Sequence, residues 1–143
     1  MPLSAVTLEP SDVDIRPGTA EDAEFIVKTW LATQRHIYPN SYALDWAAKT
    51  EAAIADLLRR ATVLVSAIDD RTVSYLVHQI AGRIFVAHFA YTDELARRQG
   101  MVRRMIHLAN VGRFPVAFTH APRNENVMRH LVTRYIFDPS IAP

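Results

Sequence analysis

Apolar positions repeat with two different periods along this chain, and the changes of period mark its elements. After residues 1–12, expected to be a mobile leader, Val13–Arg16 has the make-up of a short strand, halted by Pro17 and Gly18. Thr19 with Asp22 three residues on is a variant capping box. It opens a helix on which Ala23, Ile26, Val27, Trp30 and Leu31 recur at helical spacing. The proline and asparagine of RHIYPNSYALD make a loop whose aromatics either line a pocket or pack. A second helix is predicted from about Leu44 to Arg60, with Trp46, Ala53, Leu57 and Ala61 on one stripe.

β-branched and apolar residues then gather in runs bounded by turn residues, the signature of strands. TVLVSAI (62–68) and TVSYLVHQI (72–80) flank Asp69-Asp70-Arg71 as a hairpin. Ala81-Gly82-Arg83 turns into IFVAHFAYT (84–92), which is apolar on both faces and therefore a central strand. A helix follows from Met101 to about Val111, with Met101, Met105 and Leu108 on one face and Gly112 as candidate C-cap. PVAFTH (115–120) is another buried strand, and a last helix runs from about Glu125 to Arg134. The order β-α-α-β-β-β-α-β-α predicts an α/β sheet with helices on its faces.

At 143 residues the chain fits one domain, and no apolar run reaches the ~18 residues that span a bilayer. The N-terminus lacks the basic and apolar regions of a signal peptide, so a cytoplasmic location is expected. Without cysteine, disulfides, thiolate nucleophiles and cysteine-ligated zinc are excluded. Charge is unevenly spread. Residues 1–96 carry eight Lys/Arg against thirteen Asp/Glu, a balance of −5, whereas residues 97–143 carry eight Arg against Glu125 and Asp138, a balance of +6. An arginine-only excess points either to an anionic partner, phosphorylated cofactor or nucleic acid, or to solvated helix faces.

The excess begins at TDELARRQGMV (92–102), between the central strand and a helix. A helix start presents unpaired N–H groups and the positive end of its dipole, so an anion can dock there. Glycine lets backbone approach the ligand, and Arg97 and Arg98 add charge. The stretch has neither the Gly-Lys-Ser/Thr of a Walker loop nor G-x-G-x-x-G.

Strand, R-R-Q-G-M-V and amphipathic helix together resemble the pyrophosphate loop of the GCN5-related N-acetyltransferases (GNAT), whose pattern is Q/R-x-x-G-x-G/A. Arg97, Gly100 and Val102 occupy its three fixed positions, Val102 standing where the pattern has Gly or Ala. DIRPGTAEDAEFIVKTW resembles the family's first strand and helix, and APRNENVMRHLVTRYIF its last helix, with Asn124 at the asparagine position. The resemblance implies one acetyltransferase-like domain over residues 1–143: a mixed, mostly antiparallel central sheet flanked by about four helices, with the C-terminal hairpin shortened or missing. The sheet is then either short or completed by a partner subunit, and a homodimer is one expectation. Acetyl-CoA is the implied cofactor. The amides of Arg98, Gln99, Gly100, Met101 and Val102 would cradle its pyrophosphate beside Arg97; Arg103 and Arg104 would reach its outer phosphate, and Ala90, Tyr91 and Thr92 would hold the thioester arm. Asn124 either bonds that arm or caps the last helix.

Acetylating an amine requires a base for the ammonium proton and an acid for the departing thiolate. His88 alternates with Ala90 and Thr92 on the central strand, an expected orientation toward the cleft, and its unperturbed pKa of about 6.5 suits a base. The other reading is a core histidine. His120 is a second base candidate or a structural loop residue, and Asp93 and Glu94 either act through water or are solvated caps. The family's tyrosine position falls at Leu131. Tyr135, one helical turn further on, and Tyr91 are acid candidates or packing residues. His78, His107 and His130 have no metal-like spacing, so no metal site is expected. The implied activity is acetyl transfer from acetyl-CoA to a primary amine. Two other readings stay open: a degenerate GNAT-fold binding or assembly module without turnover, and a nucleic-acid-contacting protein, ranked last for want of a recognition motif.

Overall fold

The structure, a computed structural model, describes residues 13–37, 45–119 and 135–137. Six strands form one sheet in sequence order: β1 (Asp14–Pro17), β2 (Thr62–Ile68), β3 (Arg71–Ala81), β4 (Ile84–Thr92), β5 (Val116–Phe118) and β6 (Tyr135–Phe137). β1 to β4 pair antiparallel, whereas β4–β5 and β5–β6 are parallel. The β2–β3 hairpin turns through Asp69 and Asp70, with φ of 52° and 63°. Two consecutive positive φ values give the twist that flanking strands need, and Asp tolerates them.

Alternation along the strands separates two cores. Val65, Tyr75 and Val77 face α1 (Ala23–Ile37) and α2 (Trp46–Arg60), burying Ile26, Trp30, Ile54 and Leu57. Leu76, Phe85, Ala87, Val116 and Phe118 point the opposite way, against Met105 and Ile106 of α3 (Met101–Ala109). Three helices are thus described. The expected fourth, the mobile leader, most of the aromatic loop and any C-terminal hairpin lie outside the described residues. No described helix is long and apolar enough to cross a membrane.

Several boundaries differ from expectation. α3 ends at Ala109, not Val111, and Asn110 rather than Gly112 caps it: the Asn110 N–H donates to Ile106 O at 2.8 Å. The Asn110 side chain then holds Phe114 from both sides, accepting from its N–H at 3.0 Å and donating to its carbonyl at 2.9 Å. Gly112 answers a different need, because a Cβ there would come within 2.6 Å of the Phe114 ring. β5 is shorter than PVAFTH, and β6 was not expected, since three residues carry no period.

Candidate active site

β4 contains the feature on which the site depends. Val77 pairs with Phe89 but His78 pairs with Ala87, so His88 is an extra residue, a β-bulge. A bulge reverses the parity of everything beyond it. Ala90 packs on the α3 side, Phe89 and Tyr91 on the α1 side. His88 therefore does not alternate with Ala90 and Thr92. Its Nε2 lies 2.7 Å from Gln79 Oε1, and the Gln79 amide nitrogen donates to Arg60 O at the end of α2 at 3.4 Å. Gln79 thus presents its oxygen to His88, and a neutral ring holds its proton on Nε2 and its lone pair on Nδ1. His88 is 4% exposed.

Among the described residues, the pairing of β4 with β5 ends at Ala87 with Phe118. Asp93 N–H donates to Val73 O of β3 at 2.7 Å, so by alternation Tyr91 and Phe89 also face β3. Ala90 and Thr92 turn their main-chain groups to the outer edge. The Thr92 carbonyl there accepts from Arg97 Nε at 2.9 Å, and its hydroxyl lies 3.0 Å from Ser74 Oγ.

The chain leaves β4 through a 3-10 turn, Glu94–Ala96, anchored by buried Ala96, which packs with Met101 and Val73. Asp93 pairs with Arg71 at 3.1 Å, and Glu94 is exposed. Arg98 and Gly100 then adopt φ of 65° and 70°, with Gln99 between them. Alternating the sign of φ gathers neighbouring N–H groups into a concavity suited to an anion. Gly100 is the N-cap of α3 and donates no side-chain cap. A Cβ on Gly100 would meet nothing within 4 Å, so dihedral, not crowding, selects glycine, and the space before the turn is open. The amides of residues 98–103 have no main-chain acceptor among the described residues. Val102 is partly buried against the α3-side core, which directs its branched side chain away from that opening.

Arg97, Arg98, Arg103 and Arg104 have no carboxylate partner among the described residues, in contrast to Arg16, Arg59, Arg60 and Arg71. Open amides and uncompensated guanidinium groups suit a diphosphate, so these residues fit a phosphorylated coenzyme. His120 and Asn124 lie outside the described residues. Tyr135 begins β6, opposite Val116, and is a strand residue. His78 is buried, stacks on Phe85 at 4.8 Å between ring centres, and has no hydrogen-bond partner for either ring nitrogen among the described residues. Burial pushes its pKa down, so it is neutral. No group of three or more metal-ligating side chains occurs among the described residues.

The sequence reading missed Gln79 and Thr119. Thr119, the last described residue after β5, donates its N–H to Ala87 O and its hydroxyl to His88 O. For Gln79 the available signal was a polar side chain inside an apolar strand.

Neither a protein-family model nor a curated protein matches the chain. Its fold is similar to that of a predicted acetyltransferase with acetyl-CoA from Clostridium acetobutylicum (TM-score 0.59, 13% identity, 85% of this chain and 90% of that one). It is also similar to ribosomal-protein-alanine N-acetyltransferase from Brucella melitensis biovar Abortus 2308 (TM-score 0.55, 16% identity, 92% and 91% covered). A third likeness is to the PaiA N-acetyltransferase from Thermoplasma acidophilum in complex with coenzyme A (TM-score 0.53, 16% identity, 68% and 69% covered). These likenesses show the fold alone: the mixed sheet with its flanking helices has the α/β GNAT-like fold of these structures.

Proposed function

We propose that the protein transfers an acetyl group from acetyl-CoA to a primary amine. The observation that supports this most is the open left-handed turn at Gly100, where, among the described residues, the amides of residues 98–103 have no main-chain acceptor and the four arginines at 97, 98, 103 and 104 have no carboxylate partner. The amides and Arg98 would hold the diphosphate, each charge-assisted hydrogen bond contributing about 1.5–3 kcal/mol. Arg97, tied to Thr92 O, fixes the turn to the end of β4. The outer edge at Ala90 and Thr92 offers main-chain groups to the extended arm. A main-chain N–H on that edge would hold the acyl oxygen as charge develops on it. Acetyl-CoA supplies the activated acyl group. His88 would take the amine's proton directly or through water, while the coenzyme's sulfur leaves as the thiolate.

The burial of His88 favours a second reading, a module that binds the coenzyme without turnover, because a base 4% exposed is remote from an incoming amine. One pair of measurements separates the two. Calorimetry should show saturable binding of CoA and acetyl-CoA, and an amine panel should release thiol catalytically. Binding without thiol release selects the module, and no binding at millimolar coenzyme removes both.

A further inference from the structure

Exposed aliphatic side chains gather at one end of the sheet. Ile80 (50% exposed) and Ile84 (39%) flank the β3–β4 turn, while Leu108 (56%) and Val111 (84%) lie on the last turn of α3 and just past it. The two turns are fastened to each other. Ile80 pairs with Phe85, whose ring packs with Ala109 and Phe114, and the Phe85 N–H donates to Pro115 O at 2.9 Å. Asn110 holds Phe114 by both its main-chain groups, which stiffens the second turn. Arg83 and Arg113, both exposed, stand on these turns and have no carboxylate partner among the described residues. β3, β4, α3, β5 and the residues 82–83 and 110–115 contain no Asp or Glu.

We infer that this end docks on an anionic lipid headgroup layer, the aliphatic tips entering it and Arg83 and Arg113 meeting its charges. Charge and shape select that occupant. A second copy docked through the same patch would set arginine against arginine. Single-stranded nucleic acid would want stacking rings, whereas Phe114 is packed against the core. Side chains at the tips of two turns are convex, and a headgroup layer accepts them without a matching groove. At nine residues, α3 sets the Gly100 turn about 14 Å back from this end, on the water side. The inference does not rest on the acetyl-transfer reading.

Co-sedimentation of the full chain with phosphatidylcholine vesicles, with and without phosphatidylserine, tests it. The protein should bind the phosphatidylserine vesicles reversibly and ignore the others. Arg83→Glu with Arg113→Glu should weaken binding at least about tenfold, and Leu108→Gln with Val111→Gln roughly fivefold. All four positions are exposed, so melting temperatures should match the parent's. Lys28→Glu with Lys49→Glu makes the same charge change on α1 and α2 and should bind within about twofold of the parent. Absence of vesicle binding at low salt overturns the inference, as does an equal loss in the lysine variant or no loss in the glutamine variant, either of which means plain charge adsorption. If the arginine variant instead abolishes self-association or DNA binding while vesicles are ignored, the surface belongs to that partner and the inference fails.

Discussion

The Asp22 carboxylate, 5% exposed, lies where β1, the first turn leading to α1, and β3 meet. It accepts from Arg16 Nη1 at 2.9 Å and Nη2 at 3.2 Å, from the Thr19 N–H at 2.8 Å and from the Thr72 hydroxyl at 2.8 Å. Burial alone would raise its pKa, but the hydrogen bonds from Arg16, Thr19 and Thr72 outweigh that and bring it to about 2. A folded pKa below the unfolded one means stability present at neutral pH and lost as pH falls through the folded value. From 3.8 to about 2 the contribution is about 2 kcal/mol, lost between about pH 4 and 2. His78 has the same sign in a higher window, its loss beginning as pH drops below the ordinary 6.5. In urea unfolding at pH 7, Asp22→Asn should be less stable by about 2 kcal/mol, and its stability should fall less than the parent's between about pH 4 and 2. An unchanged midpoint would contradict this role. The sequence showed Thr19 and Asp22 as a cap. It could not show Thr72, fifty positions away, as a third partner.

Among the elements, α3 lies over the sheet on Met101, Met105 and Ile106, all buried, while Leu108 is 56% exposed. Sequence periodicity placed Met101, Met105 and Leu108 on one face, but packing on the sheet selects Ile106 in place of Leu108. Met105→Ala should therefore destabilise the fold by about 2–5 kcal/mol, whereas Leu108→Ala should stay within about 0.5 kcal/mol. Comparable losses would mean that α3 is rotated. β2 and β4 were legible to the residue because β-branched runs ended in turn residues. The bulge at His88 was not, since it is a property of two strands' register and no single strand's pattern records it. That hidden offset explains why His88 sits beside Gln79 and not beside Ala90. β6 depends entirely on its partner β5, so Tyr135–Phe137 had no local signal.

Across the whole molecule, the charge asymmetry visible in the sequence becomes a place. Cations of the first 96 residues such as Arg16, Lys49, Arg59, Arg60 and Arg71 are matched to carboxylates, while the arginines from Arg97 to Arg104 belong to a turn and first helical turn whose amides at 98–103 have no main-chain acceptor among the described residues. The turn itself was legible, because one glycine among four stood behind paired arginines at a strand-to-helix junction. The left-handed Arg98 was not, since arginine carries no preference for positive φ. The central claim is that these amides grip a diphosphate, and an amide-resolved NMR titration with CoA reads them one by one. The N–H resonances of residues 98–103 should shift saturably and together, ahead of the rest of the chain. Binding that leaves those six resonances in place, with shifts confined to another surface, would contradict it.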